Sequence, residues 1–277
     1  MQIGKHIASF DSLREMHDYM QLANTKDPTQ RDAWFGGLSP KQRRQFMLSG
    51  DQSCVPQAER MLSKFDIRLP TDGYAMQTDM TGFMPSVPDY IAGAPECMYA
   101  MAATHDARQP MSIVVNGSCS EAITHDQLQR RGTVILAAVM ALAAMRPVTL
   151  ESIVTIGAHQ KVEGTRDDFA IVRTRINTTP LDLPSAGYAL AHAGWIRGCA
   201  YAVCFDKLDA NGKWPTIGGS FMGSATGARS EESMRSVLAV LDANPQESLF
   251  IPGTHVYDPL LTDPERWINT VLERYGS

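Results

Sequence analysis

Apolar residues recur at helical spacing along the first part of the chain. Leu13, Met16 and Met20 lie three or four positions apart and follow a serine that suits a helix N-cap, so a helix is predicted there. The same spacing predicts another amphipathic helix over 55–65. Glycine, proline and aspartate are frequent from residue 71 onward, which favours an extended, looping crossing. Residues 1–96 are therefore predicted to be an N-terminal helical and looping region.

From residue 97 onward, short apolar runs flank one long helix. Met111–Asn116 is typical of a strand buried on both faces, and the long helix is predicted over Gln127–Met145. Further strands are expected over Val148–Ile156 and Phe169–Ile176. This order predicts a right-handed crossover with a parallel pair, followed by a strand that returns antiparallel. Residues 97–277 are thus predicted to be an α/β main domain.

Helical patterns continue toward the end of the sequence. They cover 183–192, 196–205, 231–241 and 264–275, with a short strand over 249–251. A loop over 212–227 is rich in glycine, serine and threonine, and its backbone amides could cradle a phosphate. Because the loop lacks the Gly-Lys-Ser/Thr ending of a Walker loop, a surface loop is the favoured interpretation.

A polar turn, Asn116-Gly117-Ser118-Cys119-Ser120, joins the first main-domain strand to the long helix. Ligands of open α/β sheets bind at the carboxyl ends of strands, so this turn is a candidate site. Its spacing resembles the Asp-x-Ser-x-Ser metal-adhesion motif of von Willebrand factor A domains, which implies Asn116, Ser118 and Ser120 as oxygen ligands of a divalent cation. Asn116 replaces the aspartate of the motif and removes the charge that attracts magnesium. A turn closed by side-chain hydrogen bonds is the favoured alternative.

The predicted fold class follows from these elements. It is α/β, with a mixed sheet, helices packed on the sheet and an N-terminal helical extension. The order strand, helix, strand, antiparallel strand is similar to a von Willebrand A or Rossmann-like core. The two regions are expected to form one compact unit.

Composition narrows the classes of function. The chain has 277 residues and a formal net charge of −5, so overall charge does not favour a polyanion partner, although a local basic patch can contact phosphates. The five cysteines include no Cys-x-x-Cys pair, which favours reduced, mostly buried thiols over a zinc site. The longest apolar run, 133–145, is shorter than the about 20 residues that a bilayer requires, so no membrane partner is expected.

Catalytic motifs are missing from the sequence. The seven histidines form no His-x-x-x-His or His-Glu-x-x-His pair, and no serine lies in a Gly-x-Ser-x-Gly frame. No enzyme activity and no cofactor are therefore predicted.

Basic residues form modest clusters, in places beside aromatic rings. Proteins that bind single strands use such pairs, because cations neutralise phosphates while rings stack on bases. A solvated face with scattered ion pairs is the alternative for each cluster. The candidate DNA-contacting residues are Trp34, Phe35, Lys41, Arg43, Arg44, Arg60, Lys64, Arg130, Arg131, Arg173 and Arg175.

Four stretches carry a resemblance to a known family: Ser86–Met98, Ile113–Asn116, Arg131–Ala137 and Tyr188–His192. The first reads Ser-Val-Pro-Asp-Tyr-Ile-Ala-Gly-Ala-Pro-Glu-Cys-Met and is the most specific. Across roughly residues 10 to 210, the chain resembles the single-stranded-DNA-binding RNA polymerase cofactor (Drc) family of enquatrovirus-type bacteriophages.

That resemblance implies a protein that prefers single-stranded DNA to duplex and whose fold is not an OB-fold. It implies a homo-oligomer in the host cytoplasm that holds melted promoter DNA for a phage RNA polymerase and assists DNA replication. The implied partners are therefore single-stranded DNA and a phage RNA polymerase. The alternative function is a von Willebrand A-like protein-interaction scaffold with a degenerate metal-adhesion motif.

Overall fold

The computed structural model describes residues 2–3, 7–25, 32–65, 73–104, 109–120, 122–157, 169–204 and 230–276. Internal contacts divide the chain into a large unit, Met1–Asp66 with Pro110–Ser277, and a small unit, Ile67–Gln109. The N-terminal helices thus share a unit with the main sheet, and the division differs from the predicted boundary after residue 96. The predicted glycine-rich loop over 212–227 lies outside the described residues.

The secondary structure of the described residues is numbered in chain order. The strands are β1 (Gln2–Ile3), β2 (Ile7–Phe10), β3 (Gly73–Asp79), β4 (Met84–Pro85), β5 (Met98–Thr104), β6 (Met111–Asn116), β7 (Val148–Gly157), β8 (Phe169–Ile176) and β9 (Ser248–Ile251). The α-helices are α1 (Leu13–Leu22), α2 (Pro40–Ser49), α3 (Val55–Leu62), α4 (Val87–Ile91), α5 (His125–Met145), α6 (Leu183–Ala191), α7 (Ala200–Val203), α8 (Glu231–Val240), α9 (Pro259–Thr262) and α10 (Pro264–Tyr275). A 3₁₀ turn covers Asp32–Phe35, and a π-helical turn covers Gly194–Cys199.

The large unit is built on a mixed sheet of six strands, in the order β1-β2-β8-β7-β6-β9. Five strands form its body, and β1 adds only two residues at one edge. β6 pairs parallel with β7 and β9, while β8 returns antiparallel to β7. The predicted parallel pair and the antiparallel strand are therefore confirmed. β2, which pairs parallel with β8, was not predicted, because its four residues are too few to show an alternating pattern.

Helix α5 is the central helix of the large unit. Thr124 caps it, and Gln127 completes a capping box, so the helix begins at His125, two residues before the predicted start. Within the described part of the chain, α5 is long and apolar enough to cross a membrane. However, 72% of its most apolar stretch is buried inside the protein. This burial is typical of the core helix of a globular domain.

The sheet is covered on both faces. On one face, Ser152 of β7 donates a hydrogen bond to the carbonyl of Ala189 in α6 at 2.9 Å, and Thr174 of β8 contacts Met16 of α1. On the other face, α8 packs against the sheet. The buried cluster on the α8 side comprises Val114, Ile153, Ile171, Val237, Leu238, Leu241 and Phe250. Because successive strand residues point to opposite faces, the apolar runs of β6 and β7 serve both layers.

The small unit contains an antiparallel sheet in the order β3-β5-β4. β3 and β5 pair along their full lengths, from Gly73 opposite Thr104 to Asp79 opposite Met98. The prediction of a looping crossing was therefore wrong for much of this segment. Prolines are accommodated because Pro85 lies in a two-residue strand and Pro88 lies in the first turn of α4.

Candidate functional site

The polar turn after β6 is closed by its own side chains. Asn116 accepts a hydrogen bond from the Ser118 amide at 3.0 Å and donates to the Thr155 hydroxyl at 2.8 Å. The Ser118 hydroxyl donates to the Thr155 carbonyl at 2.8 Å and accepts from the Thr155 amide at 2.7 Å. Asn116 and Ser118 are fully buried, while Ser120 is half-buried. The favoured interpretation of a hydrogen-bonded turn is therefore the one that the geometry supports.

This turn does not fit a magnesium ion. Hard divalent cations prefer several carboxylate and carbonyl oxygens, and the amide and hydroxyl here already have protein partners. Within the described ranges, no group of three or more histidine, cysteine, aspartate or glutamate side chains could hold a metal.

Two buried cysteines are not disposed to act as thiolates. Burial raises the pKa of the Cys54 thiol to about 11 and also raises the pKa of the Cys119 thiol.

Arg131 is buried and held by an ion pair. Its Nε donates to Asp258 Oδ2 at 2.9 Å, its Nη2 donates to the Pro252 carbonyl, and both charged side chains are at most 5% exposed. Arg131 was predicted as a DNA contact, but in this structure its buried guanidinium presents no surface to a ligand. Its neighbour Arg130 is exposed on α5.

Two aromatic–arginine pairs lie beside the π-helical turn Gly194–Cys199. The Arg197 guanidinium lies 3.9 Å from the centre of the Trp34 ring and donates to the Ser120 and Ile123 carbonyls. The Arg43 guanidinium lies 3.8 Å from the centre of the Phe35 ring.

Phe35 and Arg43, both predicted as DNA contacts, are buried in this structure and present no surface to a ligand. Lys41 is exposed at the start of α2, Trp34 is half-buried, and half-buried Arg44 donates to the Thr25 carbonyl at 2.6 Å. The predicted group of cations and aromatic rings therefore does not form one surface, because Phe35 and Arg43 lie in the core and Lys41 lies at the surface.

The rings of His125 and His192 contact each other beside these pairs, with centres 4.7 Å apart and planes tilted by 54°. Burial, assisted by the neighbouring His125, lowers the pKa of His192 to about 4, although Asp51 opposes the shift. Burial also lowers the pKa of His125. Both rings are therefore neutral near pH 7. The His192 Nδ1 accepts a hydrogen bond from the Gly194 amide at 2.9 Å, which starts the π-helical turn.

Folding stability should fall as His192 is forced to bind a proton. The unfolded chain titrates near pH 6.5 and the folded protein near pH 4, so the unfolded state binds more protons between these values. The free energy of unfolding is therefore highest above about pH 6.5, and this site lowers it by roughly 3 kcal/mol as the pH falls to about 4. Urea unfolding of wild type and His192→Gln across this range measures it. The variant should show a flatter profile, and a slope equal to wild type would contradict the assignment; half-buried His17→Gln is the matched control.

Two predicted cations, Arg60 of α3 and Lys64 just after it, are exposed. Lys64, just beyond the helix, forms an ion pair with Glu265 at 2.6 Å, and Arg60 donates to the Pro56 carbonyl at 3.2 Å. α3 packs against α5, so Arg60 and Arg130 belong to neighbouring helices. Lys41, Arg60 and Arg130 remain the most exposed of the predicted cations without a charged partner among the ion pairs described.

Arg173 and Arg175 project from β8 toward the buried Glu151 of β7. Arg173 forms an ion pair with Glu151, and Arg175 contacts the same carboxylate at 3.3 Å and Asp11 at 3.2 Å. These residues line an open cavity of about 1190 Å³ at the edge where β6, β7 and β9 begin. Their charges are largely balanced by carboxylates, so this edge does not present an isolated basic patch.

The structure brings together residues that the sequence left apart. Arg197, Asp258 and Glu151 were not recognised, yet each anchors one of the clusters above. Glu151 carried a usable signal, since a carboxylate within an apolar strand requires a partner. Asp258 lies 127 positions from Arg131, and nothing in the local sequence links them.

The fold and site together define an α/β protein with a mixed, helix-covered sheet, whose polar residues at the carboxyl edge are engaged by the chain itself. The chain belongs to the family described as Domain of unknown function (DUF7192), whose model matches residues 3–247. No curated protein and no solved structure matches the chain.

Proposed function

We propose that this protein is a von Willebrand A-like interaction scaffold that binds a protein partner and uses no metal at its degenerate motif. The order of β6, α5, β7 and antiparallel β8 supports the likeness to that fold. The observation that carries the proposal is the closure of the carboxyl edge. Asn116 and Ser118 are consumed by hydrogen bonds, and Arg197 fills the adjoining space. Because the chain's own side chains fill this edge of the sheet, we expect a partner to bind the outer surface of the protein.

The role of Ser118 separates a structural turn from a metal site. Ser118→Ala leaves the Thr155 amide and carbonyl without their hydroxyl partner, so we expect it to reduce the free energy of unfolding by about 1–3 kcal/mol. The loss should be the same in EDTA and in magnesium, as measured by urea unfolding. Ser120→Ala, at the half-buried end of the turn, is the control and should change stability much less. Stabilisation of the wild type by magnesium that Ser118→Ala abolishes would overturn the metal-free scaffold.

A second candidate is single-stranded DNA binding in support of a phage RNA polymerase, as the resemblance to the Drc family implies. The exposure of Lys41, Arg60 and Arg130 favours it, because mobile surface cations can neutralise phosphates. Half-buried Trp34 lies near Lys41 in the chain, although the Arg197 guanidinium covers one face of its ring. Homo-oligomers would align several such modest surfaces along one strand and raise the overall affinity.

Oligonucleotide binding across a salt series tests this candidate. Changing Lys41, Arg60 and Arg130 together to glutamine should weaken binding of a labelled single strand about tenfold and reduce the salt slope by about two, as loss of three phosphate contacts requires. Fluorescence anisotropy measures both quantities, with duplex of the same sequence for comparison. The control changes three other exposed cations, Arg14, Arg235 and Arg274, to glutamine. Equal effects of the two triple variants, or equal affinity for duplex, would count against DNA binding.

A further inference from the structure

Exposed apolar side chains are concentrated in the small unit. In the described part of the chain, eleven large apolar side chains are strongly exposed, and seven of them fall within 76–91. These seven, called the apolar patch below, are Met76, Met80, Phe83, Met84, Val87, Tyr90 and Ile91. The other four are spread over the large unit. Soluble proteins seldom expose apolar residues in such concentration except where another molecule binds.

The patch is supported by a hydrogen-bonded frame. Val87, Tyr90 and Ile91 occupy positions i, i+3 and i+4 of α4 and therefore share one helix face. The amides of Phe83 and Ser86 donate to carbonyls of residues 99 and 97, at or beside β5, at 2.9 and 2.7 Å. The apolar side chains thus extend from a backbone that is fixed at both ends of β4. A fixed platform reduces the entropy that binding would otherwise cost.

The charges of the small unit indicate the kind of partner. Between residues 73 and 104, Asp79, Asp89 and Glu96 supply carboxylates, and the two arginines of the unit, Arg68 and Arg108, lie outside that part of the sequence. Methionine side chains adapt to different apolar shapes, and aromatic residues are enriched at protein interfaces. A surface of this composition complements apolar residues flanked by cations.

We propose that the apolar patch binds an amphipathic segment of a partner protein that carries apolar residues on one side and lysine or arginine on the other. This inference rests on the proposed scaffold function and names its partner class. The carboxylates disfavour nucleic acid and an anionic membrane surface, because both would bring negative charge against the patch. A second copy of the chain would place the same carboxylates against each other.

Two labelled model peptides test the proposal with the full chain. Both are helical repeats with the same leucine positions, and their polar sides carry lysine in one and glutamate in the other. By fluorescence anisotropy, we expect the lysine peptide to bind about tenfold or more tightly than the glutamate peptide. Tyr90→Ser with Ile91→Ser should weaken lysine-peptide binding about tenfold, because it removes two strongly exposed apolar side chains.

Leu22→Ser with Tyr257→Ser is the matched control, since these residues are equally exposed on the large unit, and it should leave the affinity within about twofold. Asp79→Asn with Glu96→Gln should reduce the preference for lysine over glutamate. Circular dichroism verifies that each variant is folded. No binding of the lysine peptide, equal binding of both peptides, or equal loss in the control overturns the proposal.

Two other measurements assign the patch to a different occupant and also overturn the proposal. One is sedimentation that shows self-association lost on Tyr90→Ser with Ile91→Ser, and the other is co-sedimentation with anionic vesicles lost in the same variant. The Ser118 experiment reports on the scaffold separately, because that residue lies in the large unit.

Discussion

Replacing Arg131 by methionine is expected to reduce the free energy of unfolding by about 3–5 kcal/mol. The substitution leaves the Asp258 carboxylate buried without its cation and removes the donor to the Pro252 carbonyl. Methionine is a good helix former of similar length, so the loss reports on charge and hydrogen bonding more than on helix propensity or volume. Urea unfolding followed by circular dichroism measures the difference.

Arg130→Met is the control for this prediction. It makes the same chemical change one position earlier on α5, where the side chain is exposed, and should alter stability by less than about 0.5 kcal/mol. Similar effects of the two substitutions would mean that the buried pair does not contribute as the geometry indicates.

Gly132→Ala is expected to cost about 3 kcal/mol, at the upper end of what overpacking costs. A Cβ atom at Gly132 would lie 2.3 Å from the Cβ and 2.4 Å from the Cα of Ala191, so α5 and α6 would have to separate. Intrinsic helix propensity alone favours alanine over glycine by about 1 kcal/mol and therefore predicts the opposite sign. Thermal and urea unfolding of the variant decide between the two.

Two comparisons isolate the packing effect at this site. Ala144→Gly, at an exposed position of the same helix, measures helix propensity and should cost about 1 kcal/mol. Adding Ala191→Gly to Gly132→Ala removes the Ala191 Cβ, which is one of three Ala191 atoms that would lie within 3.0 Å, and should recover part of the lost stability. A stabilising effect of Gly132→Ala would show that the helices approach less closely than the structure indicates.

The buried arginines show where sequence reasoning reaches its limit. Arg43 and Arg131 lie in segments that contain other polar residues, and a local pattern does not distinguish a cation that faces solvent from one that enters the core, whereas buried Arg197 lies within an apolar segment. Arg43 contacts the nearby Phe35 ring, while Arg131 and Arg197 bind groups far away in the chain, Asp258 and a backbone carbonyl. The stabilisation of a buried arginine depends on which segments pack together. The basic clusters in the sequence therefore overstated the number of cations available to a ligand.

The sequence by itself determined the elements whose signals are local. Helix α5, the apolar strand β6 and the terminal helix after Asp263 were all predictable, because periodicity acts over a few residues. Only the tertiary structure showed which distant segments contact each other. β2 pairs with β8, Gly132 packs against Ala191, and Arg131 binds Asp258. Those contacts join residues far apart in the chain, and their energies arise from burial and close approach, which no single segment encodes.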